Sequence, residues 1–268
     1  MTVSQPREPI PEAAPPDELA AGGEVAAPAT PPPHRWGFGA FLLVEAVLLA
    51  SAAFISVLLG DVQPGQPLPM RMVLLGTMVP TMIAAGVALL ITRLRGNGPF
   101  ADLRIGWSWA DVKIGLKLGV LGLGLTSLAA YVWTQVVGDA NATSAISALV
   151  EDRRMSVSAA VVMFIYLWLV GPICEEIIYR GLLWGAVERL QWRTERWGRI
   201  AAFLVSTAIF AASHLEPLRT TLLLVIAIPI GLARVFTGRL LGSVVAHQVN
   251  NFLPAVTILL ASLGIAAF

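Results

Sequence analysis

Charged residues are scarce in this chain. They make up 13% of its 268 residues, whereas soluble domains carry about 25%. Because 56% of the residues are hydrophobic, the composition excludes an ordinary soluble domain and favours several membrane spans of about 20 residues each. The formal net charge of +1 gives no basis for a nucleic-acid partner. The single cysteine, Cys174, excludes an intrachain disulfide framework and a CxxC metal site.

The first 35 residues differ from the rest of the chain. They are rich in Pro, Ala and Glu and have almost no large aliphatic side chains. Such a segment cannot bury enough apolar surface to offset the entropy lost on ordering. We predict a disordered, cytoplasmic tail over residues 1–35, whose role the sequence leaves open, and a transmembrane domain over residues 36–268.

Seven runs with few or no charged residues follow the tail. Four are close to bilayer length, and the later ones are short or interrupted by polar residues, which is typical of helices that line a cavity. The runs cover residues 38–60, 72–92, 118–137, 156–174, 200–213, 220–233 and 240–268. Splitting the last run at Pro254 gives eight spans, and leaving it whole gives seven. The predicted fold class is an all-α polytopic membrane protein of about eight transmembrane helices with its site in a helix-lined cavity.

The distribution of Lys and Arg predicts an orientation. With eight spans and a cytoplasmic N-terminus, 14 of the 18 basic residues fall in cytoplasmic segments. The four on the other side are Arg71, Arg153, Arg154 and Arg219. Because short cytoplasmic loops carry the excess of Lys and Arg, we predict that both termini are cytoplasmic. The predicted location is the plasma membrane of a bacterial cell.

Two adjacent carboxylates, Glu175 and Glu176, lie at the end of an apolar run and are followed by more apolar residues. A carboxylate in hydrocarbon costs about 2.5 to 3.5 kcal/mol, so the pair indicates a functional site. On a helix, Glu176 and Arg180 share a face four residues apart, in the order that favours an ion pair. Glu175 then remains to hold or deprotonate a water. The alternative is that these charges only mark the cytoplasmic end of a span.

Two of the three histidines lie in apolar runs. His214 shares a helix face with Phe210, and His247 shares one with Asn251. A lone histidine on an apolar helix is more often a hydrogen-bonding residue than a metal ligand. With an unpaired glutamate from a third helix, however, two histidines suffice to bind a metal with an open position or to hold a water directly. Asn251 could orient that water or stabilise an oxyanion.

These residues also carry a family resemblance. Three segments match in order the EExxxR, FxxxH and HxxxN motifs of the CPBP family, which is also called the Abi or CAAX-protease family. They are Glu175-Glu176-Ile-Ile-Tyr-Arg180, Phe210-Ala-Ala-Ser-His214 and His247-Gln-Val-Asn-Asn251. The resemblance covers residues 156 to 256. The family includes Rce1-type prenyl-protein endopeptidases and bacterial proteins of bacteriocin processing or immunity.

The resemblance implies an eight-helix intramembrane endopeptidase whose cavity opens toward the cytosol. It implies catalytic roles for Glu175, Glu176, His214, His247 and Asn251, with Arg180 and Phe210 as structural residues at the site. If zinc or another divalent metal is bound, the implied ligands are Glu175, His214 and His247. A metal-free, glutamate-based route uses the same side chains, and the sequence leaves both routes open. The implied partner is a membrane-associated protein or peptide substrate within the bilayer.

Two rival functions use the same features. A proton-coupled transporter also needs intramembrane Glu and His, but it predicts repeats between the two halves of the chain, and none is found. A non-enzymatic protein on the same scaffold, such as a bacteriocin-immunity factor that binds a peptide, remains open because fold does not fix function. The sequence does not give the substrate, the cleavage position or the oligomeric state.

Overall fold

A computed structural model describes residues 35–59, 68–138, 144, 146–147 and 154–265 of the chain. These residues form helices and loops and contain no β-strand. The predicted tail therefore lies outside the described residues except for Arg35. The prediction of an all-α polytopic membrane protein is confirmed.

The described residues contain eight helices, which we number in chain order. Six are long and apolar enough to cross a membrane: α1, α2, α4, α5, α7 and α8. Their bounds are α1 Phe38–Leu58, α2 Met70–Arg95, α3 Pro99–Asp102, α4 Trp109–Val137, α5 Val157–Glu188, α6 Glu195–Ser213, α7 Thr220–Thr237 and α8 Leu240–Ser262. The expected number of about eight spans is thus too high for the described part of the chain.

Helix α8 accounts for one of the two missing spans. The sequence analysis allowed a break at Pro254, but α8 continues through that residue to Ser262. Helices α2 and α7 likewise contain Pro80 and Pro229. A proline removes one backbone hydrogen bond, and packing against neighbouring helices can maintain such a helix in a membrane. Helix α6 is not apolar enough to count as a membrane span, because Glu195, Arg196 and Arg199 occupy its first turns.

The helix ends define two ends of the bundle. The backbone N–H of Arg35 donates to Arg95 O at 2.9 Å, and that of Leu240 donates to Arg104 O at 3.2 Å. We call the end of the bundle that contains Arg35, Arg95, Arg104 and Leu240 the basic end. At the opposite end, Met155 N–H donates to Ser262 O at 2.9 Å. Because α8 crosses the bundle once, Ser262 lies at the end opposite to Arg35. Both termini lie outside the described residues, so their cytoplasmic location stays a prediction.

Glycines on α4 bring it close to α8. A Cβ atom at Gly115 would lie 2.6 Å from Gly242 O, and one at Gly119 would lie 2.6 Å from Val249 Cβ. Small residues allow this kind of close helix packing in membranes, where van der Waals contact drives association. The packing fixes α8, which carries both His247 and Asn251.

Helix α5 is not a regular α-helix along its length. It widens into π-helical turns at Tyr166–Val170 and Ile177–Leu183, on either side of the α-helical segment Gly171–Glu176. Pro172 has no N–H to bond the carbonyl four residues earlier, and its ring would clash with that carbonyl, so a wider turn before it relieves the contact. The sequence analysis missed both π-helical turns. It also ended this span at residue 174, whereas the helix continues to Glu188.

Candidate active site

Helices α5 and α8 bring Glu175 and His247 together near the middle of the bundle. Glu175 Oε2 lies 3.6 Å from His247 Nε2. The Glu175 side chain is 26% exposed, whereas that of His247 is 3% exposed. The histidine is therefore fixed in the protein interior, and the carboxylate reaches the adjoining cavity.

Glu176 lies behind this pair and is fully buried. Its Oε1 accepts hydrogen bonds from Arg180 Nη1 at 3.0 Å and from His247 Nδ1 at 2.9 Å. The predicted contact between Glu176 and Arg180 is therefore present, and both side chains are 0% exposed. The contact with His247 was not predicted. Glu176 thus connects the buried cation to a histidine of the site.

The same contact determines the tautomer of His247. Because a carboxylate can only accept a hydrogen bond, the proton of the neutral imidazole lies on Nδ1. The Nε2 lone pair then faces Glu175. His214 has the same arrangement, because its Nδ1–H donates to Phe210 O at 2.7 Å. Both rings are therefore held with Nε2 available to accept a proton.

Phe210 packs among the polar groups of the site. Its ring makes edge contacts with His214 and His247, with centroid distances of 4.7 and 5.7 Å. The Arg180 guanidinium lies 4.4 Å from the centroid of the same ring. Stacking of a cation on an aromatic face stabilises a charge that has left water. The FxxxH motif thus supplies a packing residue as well as a histidine.

Asn251 contacts the first π-helical turn of α5. Its Nδ2 donates to Leu167 O at 3.3 Å, and Gln248 Nε2, one turn earlier on α8, donates to Leu169 O at 3.4 Å. One N–H bond of the Asn251 amide goes to Leu167, and the second remains for another acceptor. The π-helical turn therefore orients the asparagine that the sequence analysis placed at the site.

A cavity of about 610 Å³ joins these groups. It lies within the range of about 300 to 1,000 Å³ that is typical of ligand pockets. Its lining contains Glu175, Phe210, His214, His247 and Asn251, which are five of the seven predicted residues. The two that do not line it, Glu176 and Arg180, are the buried ion pair. The structure thus separates groups that can meet a substrate from groups that support them.

The cavity reaches the end of the bundle away from the basic end. Its lining includes Glu216 and Arg219, which form a close ion pair in the loop between α6 and α7. Trp133 Nε1 on α4 donates to Leu218 O in the same loop at 2.8 Å. The resemblance implied a cavity open toward the cytosol. The distribution of basic residues predicts that this end of the bundle lies away from the cytoplasm. The two expectations differ, and both stay predictions.

Several polar residues of the cavity were missed. Asn250 is 3% exposed, and its Oδ1 accepts from Thr126 Oγ1 on α4 at 2.9 Å. Tyr166 donates its hydroxyl proton to Thr77 O on α2 at 3.0 Å. The sequence does show threonines in its apolar runs, and such threonines can form hydrogen bonds between helices. Nothing local, however, indicated which of them face one cavity.

The predicted metal ligands do not form a metal site in this arrangement. Among the residues that the structure describes, no three His, Cys, Asp or Glu side chains are placed to hold one ion. The Nδ1 hydrogen bonds of His214 and His247 do resemble the outer contacts of zinc-bound histidines. That resemblance lies in the orientation of each ring, and the binding of zinc or another divalent metal by Glu175, His214 and His247 stays a prediction.

Comparison with known proteins agrees with the three motifs. Residues 157–253 match the family described as "Type II CAAX prenyl endopeptidase Rce1-like". The match spans the second π-helical turn, the buried ion pair, both site histidines and Asn251. Neither the curated proteins nor the solved structures gave a significant match.

Proposed function

Because residues 157–253 match the Rce1-like family, we propose that this chain is an intramembrane endopeptidase that uses a Glu175-activated water. The match supports protease activity on a membrane-associated protein. The water mechanism is our extension, and it rests on one observation. Glu175 Oε2 and His247 Nε2 lie 3.6 Å apart in a cavity wall. In the neutral imidazole with its proton on Nδ1, both atoms are hydrogen-bond acceptors.

Two acceptors at this separation have no proton to share, and a water that donates one O–H bond to each satisfies both. Such a water is polarised by a carboxylate and an imidazole together. Its oxygen attacks the carbonyl carbon of the scissile peptide bond while Glu175 takes the proton. The remaining N–H of Asn251 can donate to the oxyanion that forms. The C–N bond then breaks as Glu175 returns the proton to the leaving amine.

Each supporting residue has a role in this mechanism. Glu176 keeps the His247 proton on Nδ1, so that Nε2 stays an acceptor for water. Arg180 neutralises Glu176, which would otherwise be an isolated buried carboxylate. His214 also lines the cavity, where its Nε2 can hold the water or the substrate. We therefore describe Glu176 and Arg180 as positioning residues.

The metal question has a direct test. Because the described donors do not converge on one ion, we expect peptide cleavage in proteoliposomes to persist after treatment with a strong chelator. The assay detects new peptide termini by mass spectrometry, and cleavage in ¹⁸O-labelled water should place the label in the new carboxyl terminus. A thermolysin-type zinc protease treated in the same way is the positive control for chelation. Loss of cleavage that added zinc restores would contradict the metal-free route.

The chelation experiment also tests the proposed function against the rival one. A bacteriocin-immunity or other partner-binding protein retains its peptide without forming a new terminus. The protease proposal would therefore be contradicted if every membrane-associated peptide tested bound to the chain without giving an ¹⁸O-labelled product.

The orientation of the cavity can be tested with single cysteines. Leu218 is 55% exposed in the loop at the cavity end, and Trp107 is 69% exposed at the basic end. Since basic loops favour the cytoplasm, we expect Leu218→Cys to react with a membrane-impermeant maleimide in intact cells. Trp107→Cys should react only after permeabilisation. The unmodified chain is the matched control, because its one cysteine is buried.

The reverse labelling pattern would place the cavity end in the cytosol and would contradict our orientation. The expected pattern instead means that substrates reach the site from the membrane or from the non-cytoplasmic side. That access would favour exported or membrane-embedded peptides over cytosolic prenylated proteins.

A further inference from the structure

A second cavity lies at the basic end, separate from the candidate active site. It has a volume of about 470 Å³ and is bounded by α3, the end of α5, the start of α6 and the end of α7. Four arginines from these different parts of the chain line it: Arg104, Arg189, Arg199 and Arg234. None of the five predicted site residues that line the first cavity belongs to it.

Arg234 is the most informative of the four because it is only 2% exposed. Its Nε donates to Arg180 O at 3.1 Å, and its guanidinium lies 5.6 Å from the Trp184 ring centroid. Its Nη1 is buried and has no hydrogen-bond partner in the described part of the chain. No carboxylate among the described residues forms an ion pair with it. A buried charged donor without an acceptor is costly, so its presence needs a reason.

The position of Arg234 in its helix explains only part of this arrangement. It lies in the last turn of α7, where a cation is favourable because of the helix dipole. The dipole and the Arg180 carbonyl account for Nε. They do not account for Nη1, which remains without a partner in a side chain that lines a cavity with three other arginines.

Two of the three carboxylates that line this cavity lie beside two of its four arginines, Arg104 and Arg189, and neither pairs with Arg234. Glu188 Oε2 accepts from Arg104 Nη2 at 3.1 Å, and Asp102 accepts from Trp36 Nε1 at 2.7 Å while lying 3.9 Å from Arg189 Nη2. Glu195 is the third carboxylate of the lining, on the first turn of α6. It is exposed, so it can compete for the guanidinium groups but does not fill the interior of the cavity.

Arg189 adds a second buried donor. Its guanidinium stacks at 3.6 Å over the Trp36 ring, and its Nη1 is also buried without a partner among the described residues. Gly185 leaves the space beside it open, because a Cβ there would lie 3.0 Å from that nitrogen. Two orphaned guanidinium nitrogens, from α7 and from the end of α5, therefore border one cavity.

The geometry points to a phosphate-binding site in this cavity. A phosphate group presents several strong acceptor oxygens in a tetrahedral arrangement, which suits arginines that approach from different helices. A carboxylate is planar and would pair with the planar guanidinium group of only one arginine. The phosphate can come from an anionic lipid headgroup, since basic clusters at the cytoplasmic face attract such lipids, or from a free phosphate in solution.

Arg199 is the best residue for a test. Arg234 also holds the Arg180 carbonyl, so its replacement would disturb the candidate active site. Arg199 lines the cavity from the exposed face of α6 and is not essential for packing. Arg196 on the same helix is exposed and does not line the cavity, so Arg196→Gln is a matched control with the same loss of charge.

The experiment measures binding to the full chain in nanodiscs. In phosphatidylcholine nanodiscs, inorganic phosphate should raise the thermal midpoint at constant ionic strength, and Arg199→Gln should weaken the apparent affinity about tenfold. Arg196→Gln should retain the affinity of the unmodified chain. If the ligand is a lipid, free phosphate has no effect. Phosphatidic acid added to the nanodisc then raises the thermal midpoint of the unmodified chain and of Arg196→Gln alike, and Arg199→Gln binds it about tenfold more weakly.

Two results would overturn the proposal. One is that neither inorganic phosphate nor phosphatidic acid stabilises the unmodified chain beyond matched chloride. The other is that Arg199→Gln and Arg196→Gln weaken binding equally, because the effect would then be one of general charge. Since the assay measures binding and not cleavage, its outcome is independent of the proposed protease function.

Discussion

Replacement of Glu175 by glutamine should lower the rate of peptide cleavage by about a thousandfold, within the range of 10² to 10⁴ that a general base contributes. The substitution keeps the size of the side chain but removes the proton acceptor. It also adds an amide N–H, which can donate to His247 Nε2 across the present 3.6 Å gap. Glutamine would thus occupy both acceptors that are proposed to hold the water. Cleavage is measured as the rate of product formation in proteoliposomes at saturating substrate.

The fold should tolerate Glu175→Gln, because the Glu175 side chain is 26% exposed and is not part of the buried ion pair. The matched control is Glu188→Gln on the same helix, which removes a carboxylate paired with the half-exposed Arg104. An exposed pair of this kind contributes about 0 to 1 kcal/mol, so the control should retain both stability and activity. Cleavage by Glu175→Gln at the rate of the unmodified chain would exclude Glu175 as the base.

The apolar runs located every long helix, because a span in lipid must satisfy its backbone within one segment and its length is set by the bilayer. The boundaries were less predictable. The predicted span began only at residue 118, after Lys113 and Lys117, whereas α4 begins at Trp109. Long basic side chains can extend toward the membrane surface, so a helix can continue through them. Pro254 likewise suggested the end of a span, but α8 continues through it because tertiary packing outweighs the loss of one hydrogen bond.

The candidate site was predictable where its chemistry lies within one helix. The spacing of Glu176 and Arg180 alone indicated their contact, which is present at 3.0 Å. The contact between Glu176 and His247 joins α5 to α8 across 71 positions, and no local pattern encodes it. The same holds for the contact of Asn251 with Leu167, which depends on a π-helical turn. Sequence spacing thus identified the groups, whereas helix packing determines which nitrogen and which oxygen meet.

Glu176→Gln should lower the free energy of unfolding by about 3 kcal/mol, the lower end of the range for a buried ion pair that loses one partner. Arg180 would remain fully buried with its charge uncompensated. The glutamine oxygen can still accept one hydrogen bond, which keeps the loss from being larger. The measurement is the unfolding transition of the protein in detergent or bicelles, together with its abundance in the membrane.

A double-mutant cycle with Arg180→Gln separates the pair from the individual side chains. Arg180→Gln alone leaves the Glu176 carboxylate buried and should also be strongly destabilising. The double variant removes both charges and leaves two amides that can hydrogen-bond. It should therefore be more stable than the sum of the single effects predicts, by about 1 to 3 kcal/mol. Additive losses would show that the ion pair does not stabilise the fold as proposed.

The same cycle distinguishes positioning from catalysis. In Glu176→Gln, the amide can turn its oxygen toward Arg180 or toward His247, so the tautomer of His247 is no longer fixed by an obligate acceptor. Below the unfolding transition, kcat should therefore fall by about tenfold while KM changes little, because the substrate does not touch a fully buried residue. A loss as large as that of Glu175→Gln, in a protein of unchanged stability, would instead make Glu176 the water-activating carboxylate. The predicted order, with Glu175 dominant in rate and Glu176 dominant in stability, follows from one carboxylate lining the cavity and the other bonding Arg180 behind it.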